Sequence, residues 1–326
     1  MSQIVLPKGD KNSFLDKHPK LRLFWKQRYM QMFALSGIVF ILIFNYIPMV
    51  GIVIAFNDYR LPTGLMGMFT SQWVGLRWFR EFFNDPHSWP IIRNTLHMSI
   101  AKMVFIYPVP IVLALMLNEI RISSIKRIVQ TASYLPYFIS WVIVAGFAQL
   151  FLRTDGVINS FLLAIGSIES AMSLQTSPDF FMPTVVFTAM WKDSGWWAII
   201  FLASIAGIDP TLYEAAEMDG AGRLKRIWYI TLPGIKSTIT IVTILALGNL
   251  LGGGLSGSNF EQAFLLGNAG NAEVSEIIQT YVMRIGLTHH RFSFAAAIGL
   301  LQSVISLILV LTSNYFAKKV AGEGLF

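Results

Sequence analysis

Long apolar runs, separated by shorter polar segments, limit this chain to folds that a membrane can accommodate. The first run covers 29–56, and 18 or more mostly apolar residues can cross a hydrocarbon core about 30 Å thick. Only 13% of the residues are charged, about half the share usual in soluble domains. The sequence therefore predicts an all-α integral membrane protein with six transmembrane helices. Their expected positions are 29–56, 93–117, 134–152, 182–208, 235–255 and 292–316.

Proline and glycine residues predict where these spans bend or open. Asn45 and Pro48 lie within the first span, which is expected to break near them, and Pro108 and Pro110 lie within the second, which is expected to bend there. The fifth span ends in a glycine-rich stretch at 248–257. Such a stretch permits an unwound segment, which a membrane tolerates only where the backbone meets water or protein. It is either a hinge or ligand-lining break, or the ordinary start of a loop.

The distribution of positive charge predicts the orientation of the chain. With the N-terminus inside, sixteen of the 25 Lys and Arg residues fall in cytoplasmic segments, six fall outside and three fall within spans. Because cytoplasmic loops carry the excess of Lys and Arg, both termini are expected in the cytoplasm. Positive charge that sorts by loop does not form a basic face, so no nucleic-acid partner is expected. The expected division is a cytoplasmic N-terminal tail at 1–28, a six-span domain at 29–317 and a cytoplasmic C-terminal tail at 318–326.

The polar segment at 209–234, between the fourth and fifth spans, has the features of two short helices set across the spans. Asp209 precedes Pro210, which suits a helix N-terminus because Asp caps free N–H groups and Pro has no N–H to lose there. Gly220 is expected to end this first helix by adopting a left-handed conformation. A second helix is expected at 223–230, ended by the Leu-Pro pair that follows it.

The order of residues in this segment resembles the signature loop of the permease subunits of bacterial ABC importers, which inserts into a groove on the ATPase subunit. Members often carry a further Pro three or four residues after the Leu-Pro pair, where this chain has Lys236 and Ser237. The resemblance implies that the segment at 209–234 couples the permease to its ATPase. The matching residues are Glu214, Ala215, Ala216, Asp219, Gly220, Ala221, Leu232 and Pro233.

Other segments extend the resemblance to nearly the whole chain. They are similar to the carbohydrate-uptake permeases, in particular to the subset that imports oligosaccharides and polysaccharide fragments, which includes the alginate importer. The segments are 45–60, 74–83, 93–99, 134–146 and 258–268.

The resemblance implies a type I importer permease fold in the bacterial inner membrane, and a set of partners. The expected partners are a second homologous permease, two cytoplasmic ATPase subunits, an extracytoplasmic solute-binding protein, an oligosaccharide substrate and membrane lipid. No G-x-x-x-x-G-K-[ST] phosphate loop occurs in the sequence, so ATP and Mg are expected on the ATPase partner and no cofactor on this chain. No metal site is expected either, since the chain has no cysteine and its five histidines lack carboxylate partners at ligand spacing.

Two adjacent charged residues, Lys192 and Asp193, lie about 15 Å along the fourth span. Charges at such a depth are costly and normally face a bundle interior or a wet cavity. One interpretation places them on the translocation path, beside tryptophan rings that stack on sugars, where a lysine favours an acidic saccharide. The other is a polar contact with another helix or with the second permease. The candidate pathway residues are Lys192, Asp193, Trp191, Trp196, Trp197 and Asn249.

Other classes of function stay open at the level of sequence. A permease for amino acids or metals could carry the same coupling loop, and a receptor or scaffold could share the membrane topology without transporting anything. An intramembrane enzyme would need paired catalytic groups at matching depth. Apart from the adjacent Lys192 and Asp193, the sequence offers no such pair, so we expect a transport subunit rather than an enzyme.

Overall fold

The protein is helical throughout the part that a computed structural model describes, residues 27–322, 324 and 325. Within these residues there is no β-strand, and an isolated bridge pairs Asn57 with Trp73. Contacts divide the chain into two units, one ending at Ile54 and the other beginning at Ala55. The tail predicted at 1–28 lies outside the described residues except for its last two, and Glu323 and Phe326 of the C-terminal tail also lie outside them.

The described residues contain fourteen helices, α1 to α14 in chain order, besides several single turns. They are α1 Arg28–Ile41, α2 Arg77–Asn84, α3 Ser88–Phe105, α4 Pro108–Glu119, α5 Ser123–Tyr134, α6 Trp141–Leu152, α7 Val157–Ala164, α8 Pro178–Ala206, α9 Pro210–Met218, α10 Arg223–Arg226, α11 Lys236–Gly248, α12 Asn259–Leu266, α13 Ile278–Met283 and α14 Phe292–Ala321. Single α-helical turns occur at Ile47–Met49, Gly67–Thr70, Leu232–Gly234 and Ala272–Ser275, and π turns at Leu42–Tyr46, Ile227–Thr231 and Arg284–Thr288. Turns of 3-10 helix occur at Val50–Phe56, Leu61–Thr63, Leu135–Phe138, Leu174–Thr176 and Leu250–Gly252.

Proline determines the local form of the first unit. Helix α1 passes into the π turn at Leu42–Tyr46, where the amide of Ile47 bonds to the carbonyl of Leu42, five residues back. Pro48 follows directly, and a proline inside a helix has no N–H and crowds the carbonyl four residues before it. The wider π turn relieves that crowding. The break predicted near Pro48 is therefore a change of helix type rather than an interruption.

Four helical stretches within the described residues are long and apolar enough to cross a membrane by themselves. They are Arg28–Phe56, Ser88–Glu119, Trp141–Ala164 and Phe292–Lys319. The number rises to six if two bent pairs each count as one span: α8 with α9, bent by 71°, and Arg223–Gly234 with α11, bent by 61°. The expected six spans thus stay a prediction. In the second span α3 gives way to α4 at Ile106 and Tyr107, and the two helices still count as one stretch.

The third and fifth spans differ from their predicted bounds. The third was expected to begin at Tyr134, but that residue ends α5, and a 3-10 turn containing Pro136 precedes the next helix. Helix α6 begins only at Trp141, capped by Ser140, whose hydroxyl oxygen accepts a hydrogen bond from the amide of Ile143. In the fifth span α11 ends at Gly248 after 13 residues, about 20 Å.

Helix α8 lies at the centre of the second unit, packed against α3, α4, α5 and α11, while α11 also packs against α14. Towards its C-terminal end, Phe201 is buried with Ala114 of α4 and Val242 of α11. Gly195 lets α8 approach the end of α5 closely, since an added Cβ would lie 1.9 Å from the carbonyl oxygen of Ser133. Small residues permit such backbone contacts between membrane helices. The polar middle of α8 is therefore held against α5 and the turn that follows it.

Candidate functional site

The first helix of the predicted coupling loop forms as its sequence indicates. The Oδ1 atom of Asp209 accepts a hydrogen bond of 2.9 Å from the amide of Thr211, and this bond lowers the pKa of the Asp209 carboxyl. Helix α9 begins at Pro210, ends at Met218 and is bent by 71° from α8. Gly220 follows with φ +73°, the left-handed conformation that a helix C-terminus favours.

The second helix differs from the prediction at its end, because Leu232 and Pro233 do not stop it. The chain stays helical through α10, the π turn at Ile227–Thr231 and a last turn at Leu232–Gly234. The amide of Leu232 bonds to the carbonyl of Ile227, and this wider turn admits Pro233 as the π turn in the first unit admits its proline. The helix breaks at Ile235, which has φ −101° and ψ 10°.

Side-chain contacts join the two short helices to each other. The hydroxyl groups of Tyr213 and Thr231 are hydrogen-bonded at 3.0 Å, and a guanidinium nitrogen of Arg226 lies 3.1 Å from a carboxylate oxygen of Glu217. Thr231 is buried, so its hydroxyl needs a partner inside the protein. The two helices thus form one body, which we call the coupling unit, residues 209–234.

A weaker contact links the coupling unit to α4, where Glu119 lies 3.9 Å from Arg223. The pairing of Tyr213 with Thr231 could not be predicted from the sequence, because the two residues are 18 positions apart and fit no helical spacing. Only the packed loop brings them together.

The eight signature residues lie on accessible parts of the coupling unit, and none of them is buried. Large apolar side chains on the same unit are also exposed: Met218 keeps 89% of its surface and Tyr229 keeps 80%. Leu224 and Trp228 are exposed as well. Exposed apolar side chains among charged ones are typical of protein-binding surfaces, as a docking element requires.

Lys192 and Asp193 are both buried, but they point to different neighbours. The Nζ atom of Lys192 donates a 2.6 Å hydrogen bond to the carbonyl of Tyr137 and lies 5.0 Å from the Tyr137 ring and 5.5 Å from the Trp141 ring. Asp193 instead accepts a 2.6 Å hydrogen bond from the hydroxyl of Ser256. The two charges therefore belong to two separate sets of contacts, one with the 3-10 turn after α5 and one with the glycine-rich stretch.

The three tryptophans of α8 face three different surroundings. Trp196 stacks on Tyr137, with ring centroids 4.4 Å apart and an angle of 6° between the planes, and keeps 37% of its surface exposed. Trp197 donates its indole N–H to the carbonyl of Leu255 at 3.0 Å. Trp191 lines an apolar groove of about 690 Å³ formed with α6 and α7. Of the three tryptophans, Trp196 is therefore the one that contacts Tyr137, the residue to which Lys192 also binds.

Asn249 closes the glycine-rich turn rather than joining either charged residue. Its Nδ2 atom donates a 3.0 Å hydrogen bond to the carbonyl of Gly254. Gly253 and Gly254 have φ +110° and φ +62°, values that residues with a Cβ rarely adopt. After the 3-10 turn at Leu250–Gly252 the glycine-rich stretch has no regular helix, and it leads through Ser256 and Ser258 into α12.

Comparison with known proteins finds relatives over most of the chain. Residues 106–322 match the family described as binding-protein-dependent transport system inner membrane component. Protein LplB of Bacillus subtilis (strain 168) is 41% identical over 302 residues, which cover 92% of each chain. The polygalacturonan/rhamnogalacturonan transport system permease protein YteP of the same organism is 42% identical over 302 residues, covering 92% of this chain and 91% of the relative.

A solved structure supports the same assignment. The crystal structure of a bacterial ABC transporter involved in the import of the acidic polysaccharide alginate contains a chain that is 34% identical, with a TM-score of 0.82 over 93% of this chain and 99% of that one. The all-α importer permease fold predicted from the sequence is thereby confirmed. Since the family match covers more than half of the sequence, the chain belongs to the family of binding-protein-dependent transport system inner membrane components.

Proposed function

We propose that this chain is a membrane-spanning permease subunit of an ATP-driven importer that carries oligosaccharides from a solute-binding protein into the cytoplasm. The observation that carries the proposal is the coupling unit, a pair of short helices joined to each other, set at steep angles to α8 and α11, and exposing apolar side chains. The relatives support the substrate class. YteP is named for polygalacturonan and rhamnogalacturonan transport, and the solved transporter imports the acidic polysaccharide alginate.

The proposed assembly contains a second homologous permease, two cytoplasmic ATPase subunits and an extracytoplasmic solute-binding protein. A solved relative was crystallised with a periplasmic protein that holds an alginate pentasaccharide, which supports the last of these partners. ATP and Mg would bind to the ATPase subunits. Positive charge on the coupling unit and near both termini supports a cytoplasmic location for these parts.

The geometry supports a simple route for the coupling of ATP hydrolysis to transport. When the ATPase subunits close on ATP, they would displace the coupling unit. Because hydrogen bonds join its two helices, the displacement would pass to α8 at one end and to α11 at the other, as if through one lever. Rotation of these spans would open the path to the outside, where the binding protein delivers its saccharide.

A candidate contact for the saccharide lies beside the middle of α8. The Trp196 ring is partly exposed and stacks on Tyr137, and Phe138 next to them is exposed too. Aromatic faces of this kind pack against the apolar faces of sugar rings. Lys192, behind Tyr137, supplies a positive charge that favours an acidic saccharide. Asp193 is turned away towards Ser256, which favours a structural role for that residue.

Binding-protein-dependent stimulation of ATPase activity in the reconstituted importer tests the proposal. The panel consists of neutral oligosaccharides and uronic-acid oligosaccharides of matched length. We expect stimulation by uronic-acid oligosaccharides, with smaller effects from neutral ones. Stimulation by neutral sugars alone would preserve the importer and contradict the acidic substrate. Stimulation by amino acids or metals instead would favour a permease for another small solute, and stable purification without any ATPase partner would favour a receptor or scaffold.

A further inference from the structure

Hydrogen bonds through four side chains connect two oppositely charged residues that are both buried and lie far apart in the sequence. Lys102 of α3 is 2% exposed, and its Nζ atom donates a 3.1 Å hydrogen bond to the hydroxyl of Ser258. Asp193 of α8 is 3% exposed and accepts the 2.6 Å hydrogen bond from the hydroxyl of Ser256. The hydroxyl groups of Ser256 and Ser258 are hydrogen-bonded to each other.

The direction of each hydrogen bond in this chain follows from the number of protons available. The ammonium group of Lys102 can only donate, and the hydroxyl proton of Ser256 goes to the carboxylate of Asp193. The proton between the two serines must therefore come from Ser258, for which Gln262 Oε1 at 3.3 Å is a competing acceptor. All three bonds then point from the cation to the carboxylate, an arrangement in which each bond polarises the next.

This chain of hydrogen bonds passes through a stretch of backbone that is rich in left-handed glycines. Both serines lie between the end of α11 and the start of α12, after two consecutive glycines with positive φ and beside a third, Gly257, with φ +60°. A backbone of this kind has many alternative conformations. Contacts from the neighbouring helices therefore determine which one is adopted, and the buried charges provide the strongest of these contacts because a buried ion left without a partner is costly.

Neutral hydrogen bonds hold the far end of the same stretch. Asn259 donates to the hydroxyl of Ser99 at 2.8 Å, and Gln262 donates to the hydroxyl of Thr188 at 2.8 Å. Ser99 lies on α3 and Thr188 on α8, the same two helices that supply the charges. Glu261 is exposed and makes none of these contacts.

We infer that Lys102, Ser258, Ser256 and Asp193 form a positioning relay that fixes residues 249–258 between α3 and α8. The two charges act as one pair even though no atom of one touches the other, since the serine hydroxyls connect them. This assigns Asp193 a partner other than the adjacent Lys192. The inference goes beyond the proposed transport function and does not depend on the identity of the transported solute.

Hydrogen–deuterium exchange of the backbone amides in the complete, reconstituted importer tests the relay. Ser256→Ala removes the hydroxyl that donates to Asp193. We expect exchange of the amides in 249–258 to rise by about tenfold, as for the loss of a hydrogen bond to a charged group, while the amides in the rest of the chain stay protected. Ser256→Thr keeps a hydroxyl and should restore the protection. Ser303→Ala is the matched control, because the Ser303 hydroxyl bonds only within α14, to the carbonyl of Gly299.

Neutralising the charges singly and together gives a second, independent test. Lys102→Met and Asp193→Asn each leave one buried charge unpaired, so each should lower the yield of assembled importer by about tenfold. The double variant should recover at least about half of the yield, since no unpaired charge remains. The relay would be overturned if the yield losses of the two single variants simply added in the double variant. It would also be overturned if Ser256→Ala left amide exchange unchanged, or raised it equally throughout the chain. If Ser256→Ala raises exchange in 249–258 as expected but no saccharide stimulates the ATPase activity of the importer, this inference holds and the proposed substrate is overturned.

Discussion

Gly220 is the residue whose backbone conformation sets the direction of the chain between the two helices of the coupling unit. It has φ +73°, and a Cβ added there would meet no atom within 4 Å. A substitution is therefore opposed by the backbone conformation alone, which costs an ordinary L-residue about 1–2 kcal/mol and a β-branched residue more. Crowding does not contribute.

We expect Gly220→Val to leave membrane insertion intact while the amount of solute transported per ATP hydrolysed falls by about tenfold. The matched variant is Gly220→Asn, because Asn tolerates the left-handed conformation far better than Val; it should retain at least about half of the coupling. Transport assays in proteoliposomes at equal protein content give the comparison. Normal transport by the Val variant would contradict the proposed role of Gly220 in coupling. Equal losses in both variants would indicate that side-chain bulk at the interface with the ATPase, not backbone conformation, impairs coupling.

Lys192 provides the residue-scale test of the saccharide path. Lys192→Met removes the positive charge beside Tyr137 and Trp141 but keeps a side chain of similar length. We expect uptake of an acidic oligosaccharide to fall by about tenfold, because the attraction between the buried positive charge and the carboxylates of the saccharide is lost, and uptake of a neutral one to change by less than about twofold. The neutral substrate on the same variant is the control. Equal losses for both substrates would assign Lys192 a structural role.

At the scale of elements, the coupling unit works as a lever only if its two helices move together. Tyr213→Phe removes the hydroxyl that bonds to buried Thr231, at a cost of about 1 kcal/mol or slightly more. We expect transport per ATP hydrolysed to fall by about fivefold, with basal ATPase activity retained. Tyr315→Phe is the control, since Tyr315 is exposed on α14, outside the coupling unit. A Tyr213→Phe variant that couples as well as the control would contradict the lever.

The elements that the sequence predicts correctly are those with local causes. Asp209, Pro210 and Gly220 fix the start and end of α9 through capping and backbone preference, so composition within a few residues is sufficient. The third span was predicted from apolar character alone, and its helix begins seven residues late because Pro136 and the cap at Ser140 end one helix and start the next. Hydropathy does not register such a break, since the turn at Leu135–Phe138 is itself apolar and joins the apolar helix that follows it.

Non-local contacts are the part of the candidate site that the sequence could not supply. Lys192 and Asp193 are adjacent and suggested one polar feature, yet successive residues on a helix point in directions about 100° apart. The partners of these two residues lie at Tyr137 and Ser256, 55 and 63 residues away. The burial of the two charges follows from their position inside a long apolar helix, but their partners required the packing of α8 against the rest of the chain.

At the scale of the whole molecule, the length of the fifth span is the point on which the topology depends. Helix α11 extends about 20 Å, which is less than a hydrocarbon core of about 30 Å. Residues 249–258 continue it with one 3-10 turn and otherwise without regular helix. The carbonyls of Leu251 and Gly254 within this stretch accept hydrogen bonds from the side chains of Asn249, Asn259 and Gln279. An unwound stretch is acceptable at membrane depth when protein surrounds it. The fifth span can therefore cross as a short helix plus a braced loop, which favours six spans over four.

Labelling of single cysteines distinguishes the two topologies, and the absence of native cysteine from the chain provides the blank. With six spans and the N-terminus inside, Gln72→Cys and Ala269→Cys should react with an impermeant maleimide in intact spheroplasts, whereas Met218→Cys should react only with a second maleimide added after denaturation. With four spans, at Arg28–Phe56, Ser88–Glu119, Trp141–Ala164 and Phe292–Lys319, the coupling unit would face outward. Met218→Cys would then react from outside, and the ATPase could not reach the unit. Because Gln72 and Ala269 lie outside in both arrangements, protection of Gln72→Cys would instead reverse the orientation of the whole chain.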